Sequence, residues 1–391
     1  MTPRLCLPTS EGGLEEYDAG RREPVPVPVL PVAPPRSRVA FAAAHVVADP
    51  LADIDPTAET RLDWDATLGF RRHLWSLGLG VAEAMDTAQR GMGLDWPATR
   101  ELIRRSSEEA RSVGGRIACG AGTDQLPSTS VPDLDAVTRA YEEQIEVVEQ
   151  AGAQVVLLAS RALAAAAHGP DGYAKVYGRL LDQVRSPVIV HWLGEVFDPQ
   201  LAGYWGTTDV HQAAEVVLAI VHDHRDRVDG IKVSLLDERF EVELRRRLPG
   251  GVRLYTGDDF SYPDLILGDE HGHSDAVLGV FDAIAPAAAV ALRALDDGDA
   301  DGYRRVLDPT VTLARHLFGA PAYHYKTGVV FLAFLNGHQR HFRMVGGYEG
   351  ARSLVHLARL FVLADRAGLL ADPALAAARM RHVLALGGVD A

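Results

Sequence analysis

From Val39 onward, short apolar runs alternate with longer stretches whose apolar residues recur every three or four positions. Such a pattern predicts buried strands alternating with amphipathic helices. The predicted strands are Val39–Val47, Gly80–Met85, Arg116–Gly122, Ala153–Ala159, Pro187–Trp192, a sixth around Val228–Ser234, Val252–Thr256 and Ala276–Phe281. Between them, helical spacing covers Trp64–Leu77, Trp96–Val113, Asp133–Ala151, Gly172–Val184, Val210–His224 and Phe240–Leu248, with Asp95-Trp96-Pro97 a plausible helix start. Strands in this alternation need a parallel sheet covered on both faces, and eight repeats favour a closed (β/α)8 TIM barrel. No dinucleotide-type glycine fingerprint follows the first strand.

After the eighth strand the spacing is helical to the end: Pro286–Leu295, Asp301–Phe318, Thr327–Asn336, Gly350–Ala367 and Pro373–Leu386. Ahead of the first strand lies a proline-rich arm in which Pro24-Val25-Pro26-Val27-Pro28 reads as extended backbone, with a short edge hairpin as the other reading. The predicted organisation is an arm over 1–38, a barrel over 39–285 and a C-terminal helical extension over 286–391.

Composition narrows the function. The chain has 391 residues, 47% of them hydrophobic and 24% charged, enough for a large core. A net charge of −14 argues against a nucleic-acid partner, which would require a basic face. Two cysteines, Cys6 and Cys119, suggest neither a disulfide framework nor a cysteine metal site. No apolar run of membrane-spanning length and no secretory signal pattern is seen, so the expected location is the cytoplasm.

In a TIM barrel the site forms at the C-terminal ends of the strands. There the sequence places His45; Glu83, Asp86 and Thr87; Thr123 and Asp124; Ser160 and Arg161; His191; Lys232 and Ser234; and Asp258 with Asp259. Lys232 stands out because lysine is rarely buried without a partner. It is either ion-paired or chemical: desolvation lowers an amine's pKa, and a neutral amine attacks carbonyls. Each of the others also has a structural reading. Asp258 could cap a turn, Glu83 could pair with Lys232 or Arg161, and His45 could be a satisfied structural imidazole.

The succession Gly230-Ile231-Lys232, then Tyr255-Thr256-Gly257-Asp258-Asp259, resembles the dihydrodipicolinate synthase / N-acetylneuraminate lyase superfamily. Cys119-Gly120-Ala121-Gly122 and Pro187–Trp192 are similar to its third and fifth strands. The helical tail, with Lys326 opening an apolar helix, is similar to its C-terminal helices. The resemblance covers roughly Arg38 to the C-terminus. It implies a class I aldolase-type barrel in which Lys232 forms a Schiff base, with no cofactor, assembled as a homo-oligomer (dimer or tetramer). Two stretches depart from the family. Its glycine-threonine-threonine-glycine-glutamate loop, which holds the substrate carboxylate, corresponds here to Met85-Asp86-Thr87-Ala88-Gln89, so Arg90 would have to offset Asp86. Its strand-four tyrosine corresponds to Ser160-Arg161, leaving His191, Tyr173 or Tyr177 to move protons.

The expected function is therefore a lyase or aldolase acting on a keto acid or keto sugar. Lys232 is the expected nucleophile and His191 the base. Thr87, Arg161, Asp258, Asp259, Glu83 and Ser234 are expected to hold a small carbonyl substrate. The alternatives are a metal-dependent sugar lyase or isomerase using His45, Glu83, His191 and Asp259, or a barrel that binds a metabolite without turning it over.

Overall fold

A computed structural model describes residues 3–127 and 131–389; the first two residues of the predicted arm and the last two of the tail lie outside the described residues. The chain forms two compact units, one from residues 38–44 and 80–278, the other from 1–37, 45–79 and 279–391.

The first unit contains eight parallel strands: β3 (Ala40–Ala43), β4 (Gly80–Glu83), β5 (Ile117–Ala121), β6 (Gln154–Leu157), β7 (Val188–Leu193), β8 (Val228–Ser234), β9 (Arg253–Thr256) and β10 (Asp275–Leu278). They close into a barrel in sequence order, with β10 pairing back onto β3. Helices Trp96–Val113, Leu134–Gln150, Pro170–Gln183, Val210–Asp223 and Glu238–Arg245 follow successive strands. Each begins where the sequence offers a start. Asp95 accepts from the Ala98 amide at 2.8 Å, and Asp209 from those of His211 and Gln212.

Side chains fill the barrel: Phe41, Ala43, Ala82, Met85, Ala118, Val156, Ile189, Tyr255 and Val277 form one buried cluster. Gly230 is required there, since a Cβ at this position would sit 2.7 Å from the Tyr255 ring. The expected eighth strand is corrected at its end. It stops at Leu278, and Val280–Ala283 turn into a helix. An apolar run buried on every side gives no period that separates the two.

The second unit holds the helix Trp64–Ser76 and the C-terminal helices Ala285–Asp296, Ala300–Leu317, Tyr325–Leu335, Leu354–Arg366 and Pro373–Leu386. The proline-rich arm opens as a hairpin, β1 (Arg4–Pro8) against β2 (Leu14–Asp18), before its extended stretch. Leu5, Leu7 and Tyr17 of the hairpin are buried. The Tyr17 hydroxyl donates to Asp365 Oδ2 at 2.7 Å, and the Gly20 amide donates to Oδ1 at 2.8 Å. Burial, with that acid beside it, pushes the Tyr17 phenol up to about 12. Tyr17→Phe leaves buried Asp365 Oδ2 with the Arg21 amide at 3.4 Å in place of its shorter donor and should cost about 1–3 kcal/mol, read as a lowered denaturant midpoint against wild type.

Candidate active site

Lys232 lies near the C-terminal end of β8, in register with His191 of β7 and Tyr255 of β9. It is 4% exposed. Burial holds its amine below the ordinary lysine value, while Asp86 and Asp259 pull it back up; burial wins. His191 is likewise pushed well below the usual imidazole value, first by burial and then by Lys232, and is therefore neutral. Its Nε2 lies 3.1 Å from Ser234 Oγ, and its buried Nδ1 has no hydrogen-bond partner.

Gly257 closes the other side. A Cβ there would stand 2.1 Å from Ser234 Oγ, 2.8 Å from the Val233 carbonyl and 3.0 Å from Lys232 Cε. The Gly257 amide donates to that carbonyl at 2.7 Å, which fixes the approach. Asp258 caps the turn, its Oδ1 accepting from the Phe260 and Ser261 amides at 2.8 and 2.9 Å. Asp259, also buried, is one of the two acids acting on Lys232.

On β4, Glu83 is fully buried and accepts from the Ala84 amide at 2.9 Å. Ala84 follows at φ 53°, a left-handed turn unusual for alanine, and brings in Asp86 and the buried Thr87. Arg90 does not offset Asp86. Its guanidinium ion-pairs with Asp124 and donates to Gln144 Oε1 at 2.6 Å, the Gly120 carbonyl at 2.8 Å and the Ala84 carbonyl at 3.3 Å. It braces the ends of β4 and β5. Arg161 is half-exposed and held by Asp198 at 2.5 Å.

At the end of β6, Ser160 Oγ lies 2.6 Å from Thr123 Oγ1, and the Ser160 amide donates to the Tyr204 hydroxyl at 3.1 Å. That hydroxyl is 3.0 Å from the Tyr177 hydroxyl. A phenol thus reaches the strand-four end from the loop after β7. Burial pushes Tyr173, Tyr177 and Tyr204 above the ordinary tyrosine value. No sequence signal marked Tyr204, which arrives from 44 residues downstream of Ser160.

Sequence reasoning also missed Glu241. It is buried on the stripe that buries Phe240 and Leu244, the one local hint available. Its carboxyl accepts from Thr256 Oγ1 at 3.0 Å and Ser274 Oγ at 2.9 Å, and Thr256 Oγ1 accepts from the Asp258 amide at 3.1 Å. It thereby props the strand end that carries Asp258 and Asp259. Burial raises its pKa to about 8. The folded state holds that proton through the range where the unfolded chain has lost it. Glu241 therefore costs stability as pH rises from about 4.5 to about 8, by roughly 1.4 kcal/mol per pH unit at most. Glu241→Gln should flatten that slope in urea titrations at pH 5 and pH 8.

Among the described residues no three His, Cys, Asp or Glu side chains are grouped to hold a metal ion. His45 pairs through Nδ1 with Asp282 Oδ2 at 2.8 Å. No helix among the described residues is long and apolar enough to cross a membrane.

Solved structures of dihydrodipicolinate synthase share this fold. The enzyme from Thermotoga maritima superposes with a TM-score of 0.62 at 16% identity, covering 86% of this chain and 100% of that one. The Aquifex aeolicus enzyme gives 0.60 at 12%, covering 90% and 99%, and the Oceanobacillus iheyensis enzyme 0.57 at 13%, covering 76% and 86%. No curated protein matches in sequence. The model for a protein family of unknown function, DUF993, matches residues 5–389, and the chain belongs to that family.

Proposed function

We propose that the protein is a Schiff-base-forming lyase or aldolase acting on a keto acid or keto sugar, with Lys232 as nucleophile. The observation that carries this reading is a buried lysine, its amine held below the usual value, at the C-terminal end of a strand in a barrel with the dihydrodipicolinate synthase fold. Three of the chain's 39 Lys and Arg residues are lysine: Lys175, Lys232 and Lys326. A permanently charged guanidinium could not attack in its place.

The neutral amine adds to the substrate carbonyl, and the carbonyl oxygen leaves as water. The resulting iminium draws electrons from the neighbouring bond. When a base removes the proton of a hydroxyl one carbon further along, the C–C bond pair moves into an enamine and an aldehyde departs. Neutral His191, with its unpartnered Nδ1, is the residue assigned to that proton. Ser234 orients its ring through Nε2. Thr87 and Asp259 meet substrate hydroxyls, and Asp258 holds the turn that aims Asp259.

Borohydride trapping followed by peptide mapping tests this reading directly. A substrate-dependent mass on the Lys232 peptide is the expected result; trapping confined to Lys175 or Lys326 would refute it. Because the amine's pKa is lowered, the neutral fraction grows at lower pH than for an ordinary lysine. The trapping rate should therefore rise with pH and level off below the ordinary lysine pKa of about 10.4.

A further inference from the structure

In the second unit, two helices meet end to start on a pair of touching imidazoles. His316, in the last turn of Ala300–Leu317, and His356, in the first turn of Leu354–Arg366, stack with ring centroids 4.1 Å apart and planes 20° from parallel. His316 Nε2 lies 3.0 Å from the His356 carbonyl. A carbonyl only accepts, so Nε2 carries the proton and Nδ1 is left as the basic site. His356 Nε2 is buried with no hydrogen-bond partner. Arg352 ties the same two ends together: its guanidinium donates to the carbonyls of Gly319, Ala320 and Pro321 at 2.6, 3.2 and 3.1 Å.

The junction suits neutral rings. The charged groups acting on them are Arg352 and Arg359, both cations. His356 also sits among first-turn amides, the helix end that disfavours a cation. Tyr323 acts on Arg352, and His324 is itself under the influence of Arg352 and Lys326. The acids of the surrounding elements serve other groups. Glu349 holds Arg343 and the Met344 amide, Asp365 holds Tyr17 and the Gly20 amide, and Asp308 pairs with Arg304. Asp296 and Asp301 flank the opposite end of the Ala300–Leu317 helix. Burial above all holds both imidazoles below the ordinary value of 6.5, with His356 at about 3. The neighbouring cations add to this, and for His316 the bond to the His356 carbonyl opposes it. An opened segment takes up protons that the stacked pair refuses. Closure is therefore complete above about 6.5 and is lost as pH falls below it.

We propose that the His316–His356 stack is a pH-sensitive clasp in the helical unit. While both rings are neutral they hold the end of one helix to the start of the other. In mild acid an added proton leaves an imidazolium stacked against its neighbour between two guanidiniums, and the helix ends part.

Hydrogen–deuterium exchange on the full chain tests the clasp, at pH 7.5 and pH 5.5 with rates corrected for the intrinsic effect of pH. Protection in peptides spanning Leu313–Ala320 and Ser353–Leu360 should fall by about ten- to a hundredfold at the lower pH, up to tenfold per pH unit for each ring below its ordinary value. His356→Phe keeps a flat ring against His316 but takes no proton, so it should remove up to about tenfold of that fall. Equal protection at the two pH values would overturn the proposal, as would a fall of the same size in His356→Phe. A third measurement needs no variant: in wild type with carbon-13-labelled histidine, the His316 and His356 ring signals should charge only as these peptides open. A proton on either ring while both peptides stay protected would overturn the clasp.

Discussion

Lys232→Ala is expected to abolish trapping at residue 232 and to lower turnover by roughly 10⁴-fold or more, the scale of losing a covalent nucleophile. The fold should persist. The side chain emerges from a strand whose neighbours Ile231 and Val233 stay buried, and eight paired strands hold the barrel closed. Far-ultraviolet circular dichroism and the denaturant midpoint check that half of the statement. Lys232→Arg should fail nearly as completely: it keeps the charge but supplies no nucleophilic amine. Retained activity in either variant, with an intact fold, would assign Lys232 a structural role.

The second large effect is expected at Gly257. A single methyl there collides with Ser234 Oγ, the Val233 carbonyl and Lys232 Cε together. The short amide bond from Gly257 to Val233 prevents the strands from separating to relieve it. Gly257→Ala should cost about 1–3 kcal/mol of stability through overpacking, and Lys232 trapping should fall even in the fraction that remains folded. Gly250→Ala is the matched control, because a Cβ there meets nothing within 4 Å. A Gly257→Ala protein as stable and as reactive as that control would mean that β8 and β9 have more freedom than their contacts imply.

Much of this was legible in the chain because buried parallel strands announce themselves. All eight predicted runs overlap an observed strand and six of them enclose it, and Lys232 was visible near the end of a mostly apolar strand whose other charge is Asp229. The short helices Arg161–Ala166 and Tyr262–Leu267 were not, since six residues give less than two turns of periodicity. Arg90 was misread for a different reason. Beside Asp86 in sequence it looks like a counter-ion, but its partners Asp124 and Gln144 lie 34 and 54 residues away. Glu241 reads as a solvated helix acid until the hydroxyls of Thr256 and Ser274 are seen around it. The common factor is sequence distance. Residues defined by their own strand were readable, and those defined by a remote partner were not.

The N-terminal hairpin has a consequence for biosynthesis. Tyr17 leaves the ribosome 348 residues ahead of its partner Asp365, a wait of roughly 20–70 s at ordinary elongation rates. Through that interval Leu5, Leu7 and Tyr17 are without the helix Leu354–Arg366 that receives them. Meanwhile the eight barrel strands, complete by Leu278, have already emerged. The nascent chain thus carries an apolar hairpin with no docking place through that interval, and translation speed and chaperone supply, more than final stability, should govern its yield in a heterologous host.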